Sequence, residues 1–168
     1  MVEEKQGRIR PAREGEAEVL TELALRSKAH WGYDPAFMAA CREELTLTRD
    51  RMRRRLEVAE EGGRVVGFIE LTPEGKGVMR LVSLYVDPSF HGCGWGRRLW
   101  ERATTLTPEA ECTAMIWDAD PHAEEFYRRM GGRRTGEAPS ESIPGRILPR
   151  MQIDWEPAGQ CSVCTGRL

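Results

Sequence analysis

The sequence predicts a mixed α/β domain. Three observations predict it. Apolar segments of strand length alternate with segments of helical period in the order strand, two helices, three strands, then helix, strand, helix and two strands. Two turns rich in glycine, Gly62-Gly63 and Pro73-Gly77, join the three consecutive strands as hairpins. A long apolar strand, Val78–Val86, then runs into His91-Gly92-Cys93-Gly94-Trp95-Gly96-Arg97-Arg98, where three glycines at every second position open a new helix.

The elements follow in order. Gly7–Pro11 is a short strand around Ile9. Arg13–Ala29 has Ala17, Leu20, Leu23, Ala24 and Ser27 near one face of a helix. His30-Trp31-Gly32-Tyr33-Asp34-Pro35 breaks it, and Asp34 with Pro35 supplies a cap and first residue for a second helix reaching Leu45. That helix is expected to bury Phe37, Met38, Ala40 and Cys41 in part. Thr48–Arg55 carries five arginines and reads as a solvated turn or as an anion contact. Leu56–Glu61 and Arg64–Leu71 form the first hairpin. Val78–Val86 is expected to show Val78, Arg80, Val82, Leu84 and Val86 on one face, and Met79, Leu81, Ser83 and Tyr85 on the other. Apolar residues on both faces make it a central strand. Trp95 to about Leu106 is a helix ending before Pro108. Glu111–Trp117 is a strand. Asp120-Pro121 opens a last helix that Gly131-Gly132 ends. Arg133–Glu137 and Ile147–Trp155 complete the strands, with a loop at 138–145.

The chain has 168 residues, 40% hydrophobic and 31% charged, which suits one globular domain with its own core. We assign it residues 1–156 and read 157–168 as a tail. A net charge of −2 argues against nucleic acid as a partner. No apolar run approaches a membrane span, and the N-terminus has no apolar signal region, so the expected location is cytoplasmic. Five cysteines at irregular spacing suit a reducing compartment. Cys161 and Cys164 lack a second pair, so we read no metal site.

Glycines let backbone amides approach a ligand, and a helix N-terminus adds unpaired N–H groups and about +0.5 charge. The loop therefore reads as a cradle for a phosphorylated ligand. It is not a Walker loop, since the terminal lysine and hydroxyl are missing. It fails the dinucleotide fingerprint, because Arg97 or Leu99 stands where the third glycine belongs. A methyltransferase-like Gly-x-Gly-x-Gly fits only locally, since Phe90 stands where an acid is expected and too few βα units follow.

Leu84-Tyr85-Val86-Asp87-Pro88 followed by His91-Gly92-Cys93-Gly94-Trp95-Gly96-Arg97-Arg98-Leu99 resembles the acetyl-CoA loop of the GNAT superfamily of acyl-CoA-dependent N-acyltransferases. Asp120-Pro121-His122-Ala123-Glu124-Glu125-Phe126-Tyr127 through Gly132 is similar to a second motif of that family, in the right order and spacing. The resemblance covers about residues 8–155. It implies a central, mostly antiparallel sheet of about six to seven strands, splayed at an acyl-CoA slot and flanked by about four helices.

The resemblance also implies roles. The backbone of Leu84, Tyr85 and Val86 pairs with the pantetheine arm of acetyl-CoA. The amides of Gly92, Cys93, Gly94, Trp95, Gly96 and Arg97 bind its pyrophosphate. His91 replaces the family's Gln or Arg, and His122 stands where Asn is common. Tyr127 matches the tyrosine that protonates the departing thiolate; its other reading is a core aromatic. Glu70 is a candidate base or an ordinary strand residue. By the same analogy His30, Trp31, Tyr33 and the loop Ser140–Arg146 lie near the acceptor, and a homodimer is a common state. The expectation is an N-acetyltransferase acting by direct attack of a primary amine, first a small molecule, with a protein amine or a CoA-binding module without turnover as alternatives.

Overall fold

The computed structural model describes residues 7–157. The expected tail lies outside the described residues save Pro157, and so do Cys161 and Cys164. Seven strands form one sheet: β1 (Arg8–Pro11), β2 (Arg55–Glu61), β3 (Arg64–Gly75), β4 (Val78–Val86), β5 (Ala114–Asp118), β6 (Arg133–Pro139) and β7 (Ile147–Asp154). Their order is β1-β2-β3-β4-β5-β7-β6, antiparallel throughout except for the parallel pair β4–β5. The helices are α1 (Ala17–Ala29), α2 (Pro35–Leu45), α3 (Trp95–Glu109) and α4 (Glu124–Arg129). None of them is long and apolar enough to cross a membrane.

Each face of the sheet buries its own apolar cluster. On one face α1 and α2 bring Leu20, Leu23, Cys41 and Leu45 onto Leu56, Val58 and Phe68. On the other, α3 brings Leu99, Trp100, Ala103 and Leu106 onto Ile69, Leu71, Met79 and Met115. Asp34 starts α2 by accepting the Phe37 amide at 2.8 Å, with Pro35 as the first helical residue. Of the residues expected to face inward from α2, Ala40 is exposed, while Cys41 is fully covered.

Three of the boundaries that differ from expectation have a local cause. β3 continues through Pro73, which sits at a register shift on an exposed extension where a missing N–H does little harm. α3 runs past Pro108 to Glu109; proline in the last turn removes only one hydrogen bond. β5 starts at Ala114 because Glu111 adopts a left-handed turn, φ 59°.

One feature of β4 was not legible in its alternation. Glu70 pairs with Ser83 but Leu71 pairs with Leu81, so Val82 is an extra residue, a β-bulge. The bulge exchanges the two faces. Met79 and Leu81 pack toward α3, and beyond the bulge so do Leu84 and Val86. Ser83 meets Glu70, and Tyr85 packs with the α1/α2 cluster. The expected single alternation from Val78 to Val86 is therefore corrected at Val82.

The same place is where β4 leaves its neighbour. Parallel pairing with β5 is confined to Val78–Ala114, Met79–Met115 and Arg80–Ile116. From Leu81 onward the edge of β4 that faces β5 has no strand partner among the described residues. β5 turns instead to β7, pairing Trp117 with Met151 and Asp118 with Arg150.

The corner after β4 is fixed by Asp87, which is 2% exposed. Its carboxylate accepts from Arg26 of α1 at 2.9 Å, from Arg64 of β3 at 3.0 Å and from the Ser89 amide at 2.9 Å. Burial alone would push this acid up. The Ser89 amide and the Arg26 guanidinium outweigh it and hold the carboxyl down at about 2. A depressed acid stabilises the fold fully above its unfolded value near 3.8 and loses that contribution as pH falls through about 2. Asp87→Asn should therefore lower the melting temperature at neutral pH, and the gap to wild type should shrink as pH drops through that window. Thermal melts across the acid range check this.

Candidate active site

The parted strands open a cavity of about 660 Å³, within the usual range for small-molecule sites. Its long walls are Leu81–Val86 of β4 and Trp117–Asp120 at the end of β5. One end is the glycine loop, the other the strand pairing at Arg80–Ile116.

The loop is built to leave amides free. Gly92 and Gly94 adopt left-handed backbone angles, φ 75° and 85°, and Gly94 caps α3. The first helical bond is Arg98 N to Gly94 O, 3.1 Å. The amides of Gly92, Gly94, Trp95, Gly96 and Arg97 have no partner among the described residues. Five unpaired donors thus lie at and just before the positive end of a fifteen-residue helix. Gly96 packs its bare Cα against the Phe126 ring, where a Cβ would lie 3.5 Å from the ring edge.

Side chains around the loop divide. Arg97 lines the cavity. Arg98 turns away, stacking 3.9 Å over the Trp95 ring and donating to the Gly7 carbonyl. Trp95 is core, 2% exposed, its indole N–H bonded to Glu61 at 2.8 Å, so only its amide serves the loop. Cys93 is exposed and its thiol lies 3.9 Å from the His91 carbonyl. His91 lies 3.0 Å from the Val86 carbonyl through Nε2, a contact that requires the proton on that nitrogen. It ties the loop to the end of β4.

All three histidines of the chain meet at the mouth of the cavity. The His30 and His91 rings sit edge to face at 4.9 Å, and Trp31 stacks flat on His122 at 5.1 Å. Among the described residues no group of three His, Cys, Asp or Glu is placed to hold a metal ion. Below them Asp120 is a hub. Besides capping the turn at His122 N, it accepts from the Tyr33 hydroxyl at 2.9 Å, Arg146 at 3.2 Å and Lys28 at 3.3 Å. Arg146 also donates to the Tyr33 hydroxyl at 2.7 Å, and Ser142 bonds Glu44. The β6–β7 loop is thereby latched to α1, α2 and the turn between them. Burial and the Asp120 carboxylate push the Tyr33 phenol up to about 12.

Tyr127 lies at the cavity wall with its ring against Trp100, Trp117 and Phe126, and its hydroxyl has no partner among the described residues. Burial drives its phenol well above the usual value, so it stays protonated. Beside it, the buried Trp117 indole N–H has no partner either. Gly132 makes room for that indole, since a Cβ there would come within 2.7 Å of it.

Glu70 is not placed as a free base. It is fully buried outside the cavity lining, and its two oxygens accept from Arg51 (2.5 and 3.1 Å), Arg54 (3.0 Å) and Ser83 (3.2 Å). Two arginines of the 48–55 run are thus spent on an internal ion pair that ties this segment to the sheet, rather than on an external anion. Residues the sequence did not mark for the site are Lys28, Asp118 and the Tyr85 side chain. Lys28 lies within a turn of the aromatic helix break, which is the one hint available. Asp118 is held by Arg150 at 2.8 Å and Arg80 at 3.3 Å.

A parallel pair splayed over a glycine loop at a helix N-terminus defines a class of protein, and the sequence comparisons agree on it. Residues 20–132 match the acetyltransferase (GNAT) family, and the chain belongs to that family. The chain is 30% identical over 88 residues to the peptidyl-lysine N-acetyltransferase YjaB of Escherichia coli, covering 52% of this chain and 54% of that protein. It is 32% identical over the same length to YjaB of Salmonella typhimurium. The match spans about half the length of these curated relatives. The fold is similar to PaiA N-acetyltransferase from Thermoplasma acidophilum, solved with coenzyme A (TM-score 0.71, 17% identity, 89% and 99% of the two chains). It is also similar to YncA from Salmonella typhimurium, solved with acetyl-CoA (TM-score 0.65, 22% identity, 95% and 99%).

The loop's geometry separates its glycines. Gly94→Ala meets no atom but forces a side chain into the left-handed region, so it should cost about 1–2 kcal/mol. Gly96→Ala lies in the helix and should leave stability unchanged or raise it by up to about 1 kcal/mol. Denaturant unfolding of both variants checks the contrast.

Proposed function

We propose that the protein is an N-acetyltransferase that moves an acetyl group from acetyl-CoA to a primary amine, first of all a small-molecule amine. The observation that carries this reading is the continuity of the β4–β5 slot with the five free amides at the start of α3. A diphosphate needs clustered donors and positive potential, and the amides and Arg97 offer both. A linear arm bearing amides needs a strand edge with unmet hydrogen bonds, and Leu81–Val86 offers one toward β5, apart from the Val86 carbonyl that His91 holds. In this reading Leu84, Tyr85 and Val86 hold the pantetheine by backbone, and the amides of Gly92, Gly94, Trp95, Gly96 and Arg97 hold the pyrophosphate. His91 acts indirectly by fixing the loop to Val86, and His122 walls the slot beneath Trp31.

Acetyl-CoA supplies the acetyl group as an activated thioester. Tyr127 holds a proton at its phenol oxygen for the leaving sulfur. By reference values the transfer from a phenol to a thiolate is uphill by about 1.5 units, or about 2 kcal/mol. Burial of the phenol adds to that, so Tyr127 gives its proton as the C–S bond breaks and not before. The cavity-lining acids that face the acceptor side, Asp118 and Asp120, are already paired with cations. This favours an amine with a sizeable neutral fraction. A lysine-type amine is neutral in about one molecule in 2,500 at pH 7, an α-amine in about one in ten.

The latch of the β6–β7 loop onto Tyr33, Asp120 and Glu44 narrows the acceptor entrance, which favours a small amine. A protein lysine is the second reading. It is supported by the similarity to the YjaB proteins, which are named peptidyl-lysine N-acetyltransferases. A thiol-release assay over small amines, an α-amine peptide and a lysine peptide tests both. Release with small amines supports the first reading, and release with the lysine peptide alone supports the second. Binding of acetyl-CoA with no release under any amine contradicts an enzyme. Tyr127→Phe should lower kcat by tenfold or more while the KM for acetyl-CoA changes less than threefold. Turnover like wild type removes Tyr127 from the mechanism.

A further inference from the structure

The acceptor side of the slot has a polar group that neither the loop nor Tyr127 accounts for. The bulge at Val82 sends the β4 side chains beyond it to the opposite face from the one their alternation predicts. Leu84 and Val86 enter the α3 core, which is filled by Leu99, Trp100 and Trp95. Ser83 and Tyr85 enter the face covered by α1 and α2. An amine reaching a thioester in the slot comes from this second face, because the first is solid core.

On that face β4 presents three polar side chains. Arg80 is spent on Glu74 and Asp118. Ser83 donates to Glu70 and accepts from Arg51. Tyr85 alone has a hydroxyl with no partner among the described residues. Its ring leans on Phe68 at 5.7 Å, and the residue lines the cavity. The charges around it are mixed: Glu44 and Asp120 favour its neutral form, whereas Arg51 opposes it. Burial is the largest influence and keeps the phenol protonated. A buried neutral phenol cannot take a proton from an ammonium. It can accept a hydrogen bond from an amine N–H through its oxygen.

The geometry points to Tyr85 as a positioning residue for the acceptor amine. Its side chain, not only its backbone, belongs to the site. The Tyr85 oxygen accepts one N–H of the neutral amine and turns the nitrogen lone pair toward the thioester carbonyl held beside Tyr127. The C–N bond forms as the C–S bond breaks, and the sulfur takes the proton of Tyr127. The proton left on the acylated nitrogen goes to water, and re-protonation restores the Tyr127 phenol. Tyr85 remains a phenol throughout. Two hydroxyls without partners, one on each wall of the slot, thereby divide the work: Tyr127 serves the leaving group and Tyr85 the entering one.

This inference rests on the acetyltransferase reading. Its test is steady-state kinetics of Tyr85→Phe, with the amine that releases thiol fastest among tryptamine, spermidine, an α-amino-acid amide and a lysine peptide. The phenylalanine ring keeps the Phe68 contact. The expected result is a fall of about tenfold in kcat/KM for the amine, with the KM for acetyl-CoA within twofold of wild type and an unchanged melting temperature. Titration of that amine into the CoA-saturated variant should show weaker binding by a similar factor. An amine kcat/KM within twofold of wild type overturns the role, as does a parallel rise in the acetyl-CoA KM, which would mark a general distortion of β4. If wild type releases no thiol with any of the four amines, the acetyltransferase reading fails first and the role of Tyr85 falls with it.

Discussion

Two parallel strands that pair for three residues and then part are the constraint on which the rest of this structure depends. β4 and β5 are bonded from Val78 to Arg80 and from Ala114 to Ile116, and then diverge. An open seam inside a sheet exposes unmet backbone groups, which is costly unless something else meets them. Here the divergence is held from both sides. The extra residue Val82 bends β4, and the β5–β7 pairing carries Trp117 and Asp118 away from it. Past the pairing, the Trp117 indole packs against Trp100 and Tyr127 in the core on the α3 side. The seam then leads to the glycine loop, where a second set of unmet donors waits at a helix N-terminus.

The elements around the seam serve it by different means. Asp87 pins the corner between β4 and the loop with two arginines from separate elements. His91 ties the loop back to β4 through Val86. Asp120 gathers α1, the α1–α2 turn and the β6–β7 loop on one carboxylate. Glu70, with Arg51, Arg54 and Ser83, anchors the segment after α2 to the centre of the sheet. Its buried charge is matched by cations, so it works as a clamp, and removing one member would strand the others. Of the buried carboxylates, Asp87 fixes the corner before the loop, Glu70 holds the segment after α2, and Glu57 ties β2 to α3 through Arg102. Inside the slot, Asp118 and Asp120 are paired with cations.

Much of this was legible in the residues. Asp34-Pro35 marked the start of α2, Gly131-Gly132 the end of α4, and the glycines of the loop the start of α3, because caps and positive φ angles demand particular residue types. The two motifs in register point to the GNAT family from the sequence alone. What could not be read were long-range pairings. Nothing local distinguishes a bulge at Val82 from plain alternation, since the bulge is defined by what β3 places opposite it. Glu70 looked available because its partners Arg51 and Arg54 are 19 and 16 residues away in sequence. Tyr85 looked like a backbone contact only, and its side-chain role depends on the same bulge. Asp120 looked like a helix cap, which it is, but its bonds to Tyr33 and Arg146 join segments 87 and 26 residues apart.

We propose that backbone amides at the start of α3, more than side chains, hold the diphosphate of an acyl-CoA. The most direct measurement is the amide spectrum of ¹⁵N-labelled protein during titration with coenzyme A. Large downfield shifts, saturating together, are expected for the amides of Gly92, Gly94, Trp95, Gly96 and Arg97. Saturation of binding with those five amides unmoved, or perturbations concentrated elsewhere on the molecule, would contradict it.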